Sequence, residues 1–127
     1  MKRLALALLS ACAPAAAPPP ARPAPPEPGT LVAELDAGFL ELARVTHAAR
    51  GDCPRMTTTL RPVIVRLRAT AERIHQMQED PALAKQLVAL LHGYDDQHGQ
   101  ADAIVDDLAT CRDDPGVRAL VDAMPTL

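Results

Sequence analysis

Residues 52–81 read DCPRMTTTLRPVIVRLRATAERIHQMQEDP. Within them Cys53, Met56, Leu60, Val63, Leu67, Thr70, Ile74 and Met77 alternate at three and four residues. That spacing keeps side chains on one face of an α-helix and makes a seam for coiled-coil-like packing. Asp52 supplies an N-cap, and Pro54 is tolerated in the first turn, where its missing N–H has no helical partner to lose. Pro62 lies inside the seam. It removes one backbone hydrogen bond and should kink the helix. The 3–4 phase continues through it, so the stretch predicts one bent helix and not two.

Working outward, Asp80-Pro81 makes a capped restart. Leu83, Leu87, Leu90, Tyr94, Gln97, Ala101, Ile104, Leu108 and Cys111 again alternate at three and four. Gly93 and Gly99 weaken this stretch by about 1 kcal/mol each relative to Ala, but the phase is not reset across them. The expectation is one long helix from about 81 to 111, with a break at Gly93 to Gly99 as the alternative. Upstream, Thr30 is a candidate N-cap for a helix carrying Leu31, Leu35, Leu42, Val45 and Ala49, with Phe39 beside them and Gly51 as its stop. Downstream, Asp114-Pro115 caps a short last helix with Val117, Leu120 and Val121. The aromatics are Phe39 and Tyr94 alone, and an aliphatic core of this kind suits helices better than sheets. The fold class is therefore all-α: an antiparallel helical bundle of three main helices plus a short C-terminal helix, spanning residues 30–127.

Charge sorts the helices. Residues 44 to 73 hold seven Arg against Asp52 and Glu72, while residues 79 to 122 hold ten acids against Lys85, Arg112 and Arg118. Folding the chain back at Asp80-Pro81 would bring Arg68 near Asp96, Arg61 near Asp102 and Arg55 near Asp107. Each exposed pair is worth only about 0–1 kcal/mol, but together they favour this pairing. In the same hairpin Cys53 and Cys111 lie 27 residues before Asp80 and 30 after Pro81, so both reach one end, and both sit on the seams. A disulfide between them is expected.

The chain begins Met-Lys-Arg, followed by the apolar run Leu4 to Leu9 and then Ser10-Ala11-Cys12. The basic start and apolar run have the form of a secretory signal, and the run is far too short to span a bilayer, which takes about 20 residues. Leu9-Ser10-Ala11-Cys12 resembles the lipobox of bacterial lipoproteins. The resemblance implies a signal peptide over 1–11, cleavage before Cys12, and acylation of Cys12 with palmitate-type chains. It further implies a protein anchored to the cell envelope; Ala13, where Asp favours inner-membrane retention, points to the outer membrane, facing the periplasm. The null alternative is an ordinary signal cleaved near Ala15 to Ala17. Ala13 to Pro28 has eight Pro in sixteen residues. With the acylated Cys it forms a Pro/Ala-rich linker over 12–29, a polyproline II spacer reaching roughly 50 Å at about 3.1 Å per residue.

Cleavage of residues 1–11 from the 127-residue chain leaves 116 residues, enough for one domain. Without Lys2 and Arg3 there are 11 basic against 16 acidic side chains, a formal net charge of −5. That balance argues against nonspecific nucleic-acid binding. The mature chain has no Ser, no C-x-x-C-H and no Gly-rich phosphate loop. The expectation is a structural or protein-interaction module with no cofactor, an envelope protein as its possible partner, and no enzymatic activity. The alternative is a periplasmic metal-binding protein using the His/Asp stretch 92–102. There His92, Asp95, His98 and Asp102 are plausible zinc or copper ligands, although a solvated polar face is the commoner use of such residues. His47 and His75 read as lone surface residues. Two further possibilities are an anion-binding Arg row on the second helix and an apolar groove opened at Pro62 and lined by Leu60, Val63 and Leu67. Limited proteolysis of the mature chain is expected to trim Ala13 to Pro28 and leave a helical core starting near residue 29; a protected linker would contradict this.

Overall fold

A computed structural model describes residues 14–20, 26–92 and 100–126. Among these residues the chain is all-α, with five helices and no strand: α1 Pro28–Ala48, α2 Cys53–Met77, α3 Pro81–His92, α4 Gln100–Ala109 and α5 Pro115–Asp122. Residues 14–20 are exposed and form no helix.

Local chemistry sets the helix starts. The Asp52 carboxylate accepts from Arg55 N–H at 3.1 Å, Asp80 from Ala82 N–H at 2.9 Å, and Asp114 from Val117 N–H at 2.9 Å. Each satisfies a donor that the first helical turn leaves open. Thr30 is not the N-cap of α1. Glu27 takes that place without a side-chain bond, and Pro28 follows as the first helical residue, a position that suits its fixed φ and missing N–H. The turn into α2 passes through Gly51 at φ 78°, left-handed backbone that costs glycine little and other residues more. α2 runs unbroken through Pro62.

The helices do not pair as a hairpin of the second and third. α1 packs against α2, α3 and α4, and α5 packs on α2; no comparable interface joins α2 to α3 or α4. α1 and α2 are antiparallel, because Glu34 pairs with Arg73 and Gly38 meets Leu67. The physical reason lies in the width of the apolar faces. α1 buries Leu31, Leu35, Leu42 and Val45, and a second row of Val32, Phe39 and Ala43 also packs on the core. That gives it two flanks to cover. α2 has one buried arc, from Met56 through Leu60, Val63 and Leu67 to Met77, and a charged remainder.

The stretch from 81 to 111 is helical over Pro81–His92 and Gln100–Ala109; residues 93–99, with Tyr94, Gln97 and the expected point of a break, lie outside the described residues. Leu90 is 42% exposed and Ala101 is exposed, although both were seam positions, while Leu91 turns partly inward. Leu87 is the buried residue of α3, and Ile104 the buried apolar residue of α4.

α1 and α2 approach closely at Gly38, where a Cβ would stand 2.5 Å from Leu67 Cδ2 and 3.2 Å from its Cγ. Leu67 is itself buried. Gly38→Ala should gain about 1 kcal/mol of helix propensity but lose about 1–3 kcal/mol to overpacking. A net destabilisation of about 1 kcal/mol is expected in denaturant melts, and a stabilised variant would show that the crossing is looser than described.

Candidate functional site

Two regions of the described surface concentrate polar chemistry. One is the end of the bundle where the α1–α2 turn meets the end of α4. Cys53 opens α2 and Cys111 follows α4; they form a disulfide with a Cα–Cα separation of 5.5 Å, inside the usual window of about 4.4–6.8 Å. Cys111 is buried and Cys53 partly so. The bridge staples α2 to α4 at one end, although the two do not pack along their lengths. Thr110 strengthens the same corner. Its hydroxyl donates to the Asp107 carbonyl at 2.6 Å and accepts from Gly51 N–H at 3.0 Å.

Beside the bridge Asp107 is 4% exposed. It does not meet Arg55, as the hairpin pairing required. Its carboxylate lies 3.3 Å from His47 Nδ1 and 3.6 Å from Arg50 Nε, both from the end of α1. Burying a carboxylate is costly unless it is paired and hydrogen-bonded, and His47 and Arg50 supply the partners. His47 is thus exposed but not alone. Sequence spacing missed this cluster because it depends on α4 lying against α1. The signal available was that Asp107 falls beside Leu108 and Ile104 on the apolar side of its own helix.

The other region is the outer face of α2. Arg73 pairs with Glu34 of α1. Arg55, Arg61, Arg66 and Arg68 are exposed and enter no salt bridge among the described residues. Arg61 does not meet Asp102, and Asp96 lies outside the described residues. On α1, Arg44 donates twice to Glu41, at 2.6 and 2.8 Å. These bonds, with the positive fields of Arg44 and Arg66 adding, hold the Glu41 carboxyl below its usual range and raise Arg44. Two clefts border α2. One, of about 720 Å³, lies between α2 and the C-terminal tail and includes Arg68, Glu72, His75 and Met124. His75 there lies 3.2 Å from the Thr126 carbonyl through Nε2. The other, of about 460 Å³, lies between α1 and α2 over Gly38, Leu67 and Ala69.

Leu60, Val63 and Leu67 are buried at 0–2% exposure, so they do not line an open groove at Pro62; Leu67 alone reaches the edge of a cleft. Of the His/Asp stretch, Asp95 and His98 lie outside the described residues. His92 is exposed at the end of α3 and Asp102 is exposed in the first turn of α4. Among the described residues no group of three His, Cys, Asp or Glu side chains could hold a metal ion. Cys12 also lies outside the described residues.

Comparison of the chain with models of protein families, with curated proteins and with solved structures finds no match.

The disulfide closes a loop spanning 58 positions, which restricts the unfolded chain by about 4 kcal/mol in the chain-entropy model, less any strain. Cys53→Ala/Cys111→Ala should lower unfolding stability by about that amount, read as a drop in the denaturation midpoint. A loss under about 1 kcal/mol would mean that the α2–α4 corner holds without the bridge.

Proposed function

We propose that this chain is a membrane-anchored envelope lipoprotein, held through acylated Cys12 at the outer membrane and facing the periplasm. Its disulfide-tied helical domain serves as a structural or protein-interaction module and not as an enzyme. The observation that carries the reading is the Cys53–Cys111 bridge. Structural disulfides belong to oxidising compartments outside the cytoplasm, and a signal with a lipobox-like end is the means of reaching one. The two features are independent, since the bridge depends on the fold of residues 53–111 and the signal lies in residues 1–12.

Membrane attachment rests on the lipid. Among the described residues no helix is long and apolar enough to cross a membrane. Two or three acyl chains bind effectively permanently, whereas one gives only marginal attachment. The Pro-rich segment then sets a standoff, and α1 begins at its last proline, Pro28, two residues before the expected start of the domain. The polar cluster supports a structural role over catalysis. Asp107 is committed to His47 and Arg50, and the Thr110 hydroxyl to the backbone of Gly51 and Asp107.

The test is metabolic labelling with a radioactive or clickable fatty acid, followed by membrane fractionation. The wild-type chain is expected to carry label and sediment with membranes. Cys12→Ala is expected to lose the label and leave the pellet. Absence of label on the wild type, or undiminished label on the variant, would overturn the lipoprotein reading.

A further inference from the structure

The geometry points to the outer face of α2 as a docking surface for the headgroups of anionic phospholipids, by which the tethered domain lies against the membrane that anchors it. The inference rests on the lipid-anchored reading above for its occupant, and on α2 for its mechanism.

α2 carries five Arg against one acid, Glu72. Four of them, Arg55, Arg61, Arg66 and Arg68, have no ion-pair partner among the described residues. They spread over fourteen positions, roughly 20 Å of helix at 1.5 Å per residue. This is the dimension of a surface contact and not of a single-ion pocket. Val65 stands between Arg61 and Arg68 on the same side of the helix and is 61% exposed. An apolar side chain flanked by guanidinium groups suits the headgroup boundary, where it leaves water while the arginines bond phosphates in bidentate fashion.

The chain is net acidic, which at first sight opposes such a contact. The acids of α4 lie elsewhere; those beside α2 are Glu72, Asp122 at the end of α5, and Glu34 and Glu41 of α1, the last two paired with Arg73 and Arg44. Asp102 and Asp106 lie on α4, and α4 packs on α1, toward which α2 turns its buried stripe. The body of the bundle, at least about one helix diameter of ~10 Å, separates them from the outer face of α2. That exceeds the screening length of about 8 Å at physiological ionic strength. Beside the outer face of α2, Arg55, Arg61, Arg66 and Arg68 outnumber the remaining acids, Glu72 and Asp122. A second copy or an acidic protein could present negative charge too. The bilayer is favoured because a tether of at most roughly 50 Å holds this face beside it, and because Val65 needs an apolar boundary to enter.

The experiment uses the chain lacking residues 1–12, which keeps every core residue between Leu31 and Val117 and has no signal or acyl group to bind lipid. It is sedimented with vesicles of phosphatidylcholine alone and of equal parts phosphatidylcholine and phosphatidylglycerol. Binding is expected with the anionic vesicles only, and should weaken as salt rises. Arg61→Gln/Arg68→Gln should weaken it about tenfold or more, with helicity by circular dichroism unchanged. Lys85→Gln, on α3, should leave it within about twofold. The inference is overturned by absence of binding, by equal binding to neutral vesicles, or by equal losses from the Arg and Lys variants. Binding to soluble polyglutamate without vesicle binding would also overturn it, in favour of an acidic protein. Acyl labelling of the full chain is read separately, so failure of the anchor and failure of the α2 surface are told apart.

Discussion

α1 must be covered on two flanks, and the positions of the other helices follow from that. Its inward row, Leu31, Leu35, Leu42 and Val45, is joined by Val32, Phe39 and Ala43 on one side. A single helix laid along it would leave one of these rows in water, at a cost of about 25 cal/mol per Å² of apolar surface. α2 covers one flank, and α3 with α4 covers the other. α5 then closes on α2, with Gly116 tight against Thr57 and Val117 buried.

Once α1 takes the centre, the charges redistribute. Asp107 of α4 is turned toward the end of α1 and finds His47 and Arg50, while Asp102 and Asp106 stay exposed. The arginines of α2 keep no partner on α4 and look outward. Surface ion pairs are too weak to oppose this: each is worth about 0–1 kcal/mol, whereas one fully buried Leu is worth about 1.5–3 kcal/mol. Apolar burial therefore chose the helix neighbours, and the salt bridges formed where the resulting arrangement allowed. The functional consequence is a two-sided domain, basic along α2 and acidic along α4, tied at one end by Cys53–Cys111.

The corner at that end combines three short-range devices. Gly51 makes the left-handed turn, Asp52 caps α2, and Thr110 bonds Gly51 from the end of α4. The disulfide acts on the unfolded chain as well as the folded one. In a small core with few aromatics, such covalent closure replaces area that Phe or Trp would otherwise bury.

The sequence by itself determined the helices as local objects. Periodicity identified the buried stripe of α2 from Cys53 to Met77, and Asp52, Asp80 and Asp114 marked starts that their carboxylates do cap. Pairing of Cys53 with Cys111 was legible because only two thiols remain beyond Cys12 and both fall on apolar positions at one end of the chain's fold. These features depend on neighbours within a turn or two, or on a covalent bond with few possible partners. The tertiary structure alone decided that α1 is the central helix and that Asp107 belongs to His47 and Arg50. A heptad pattern says that a face is buried but not against what. Which helix covers it is a competition among whole apolar faces, and the width of α1's face was settled only when all the helices were packed together.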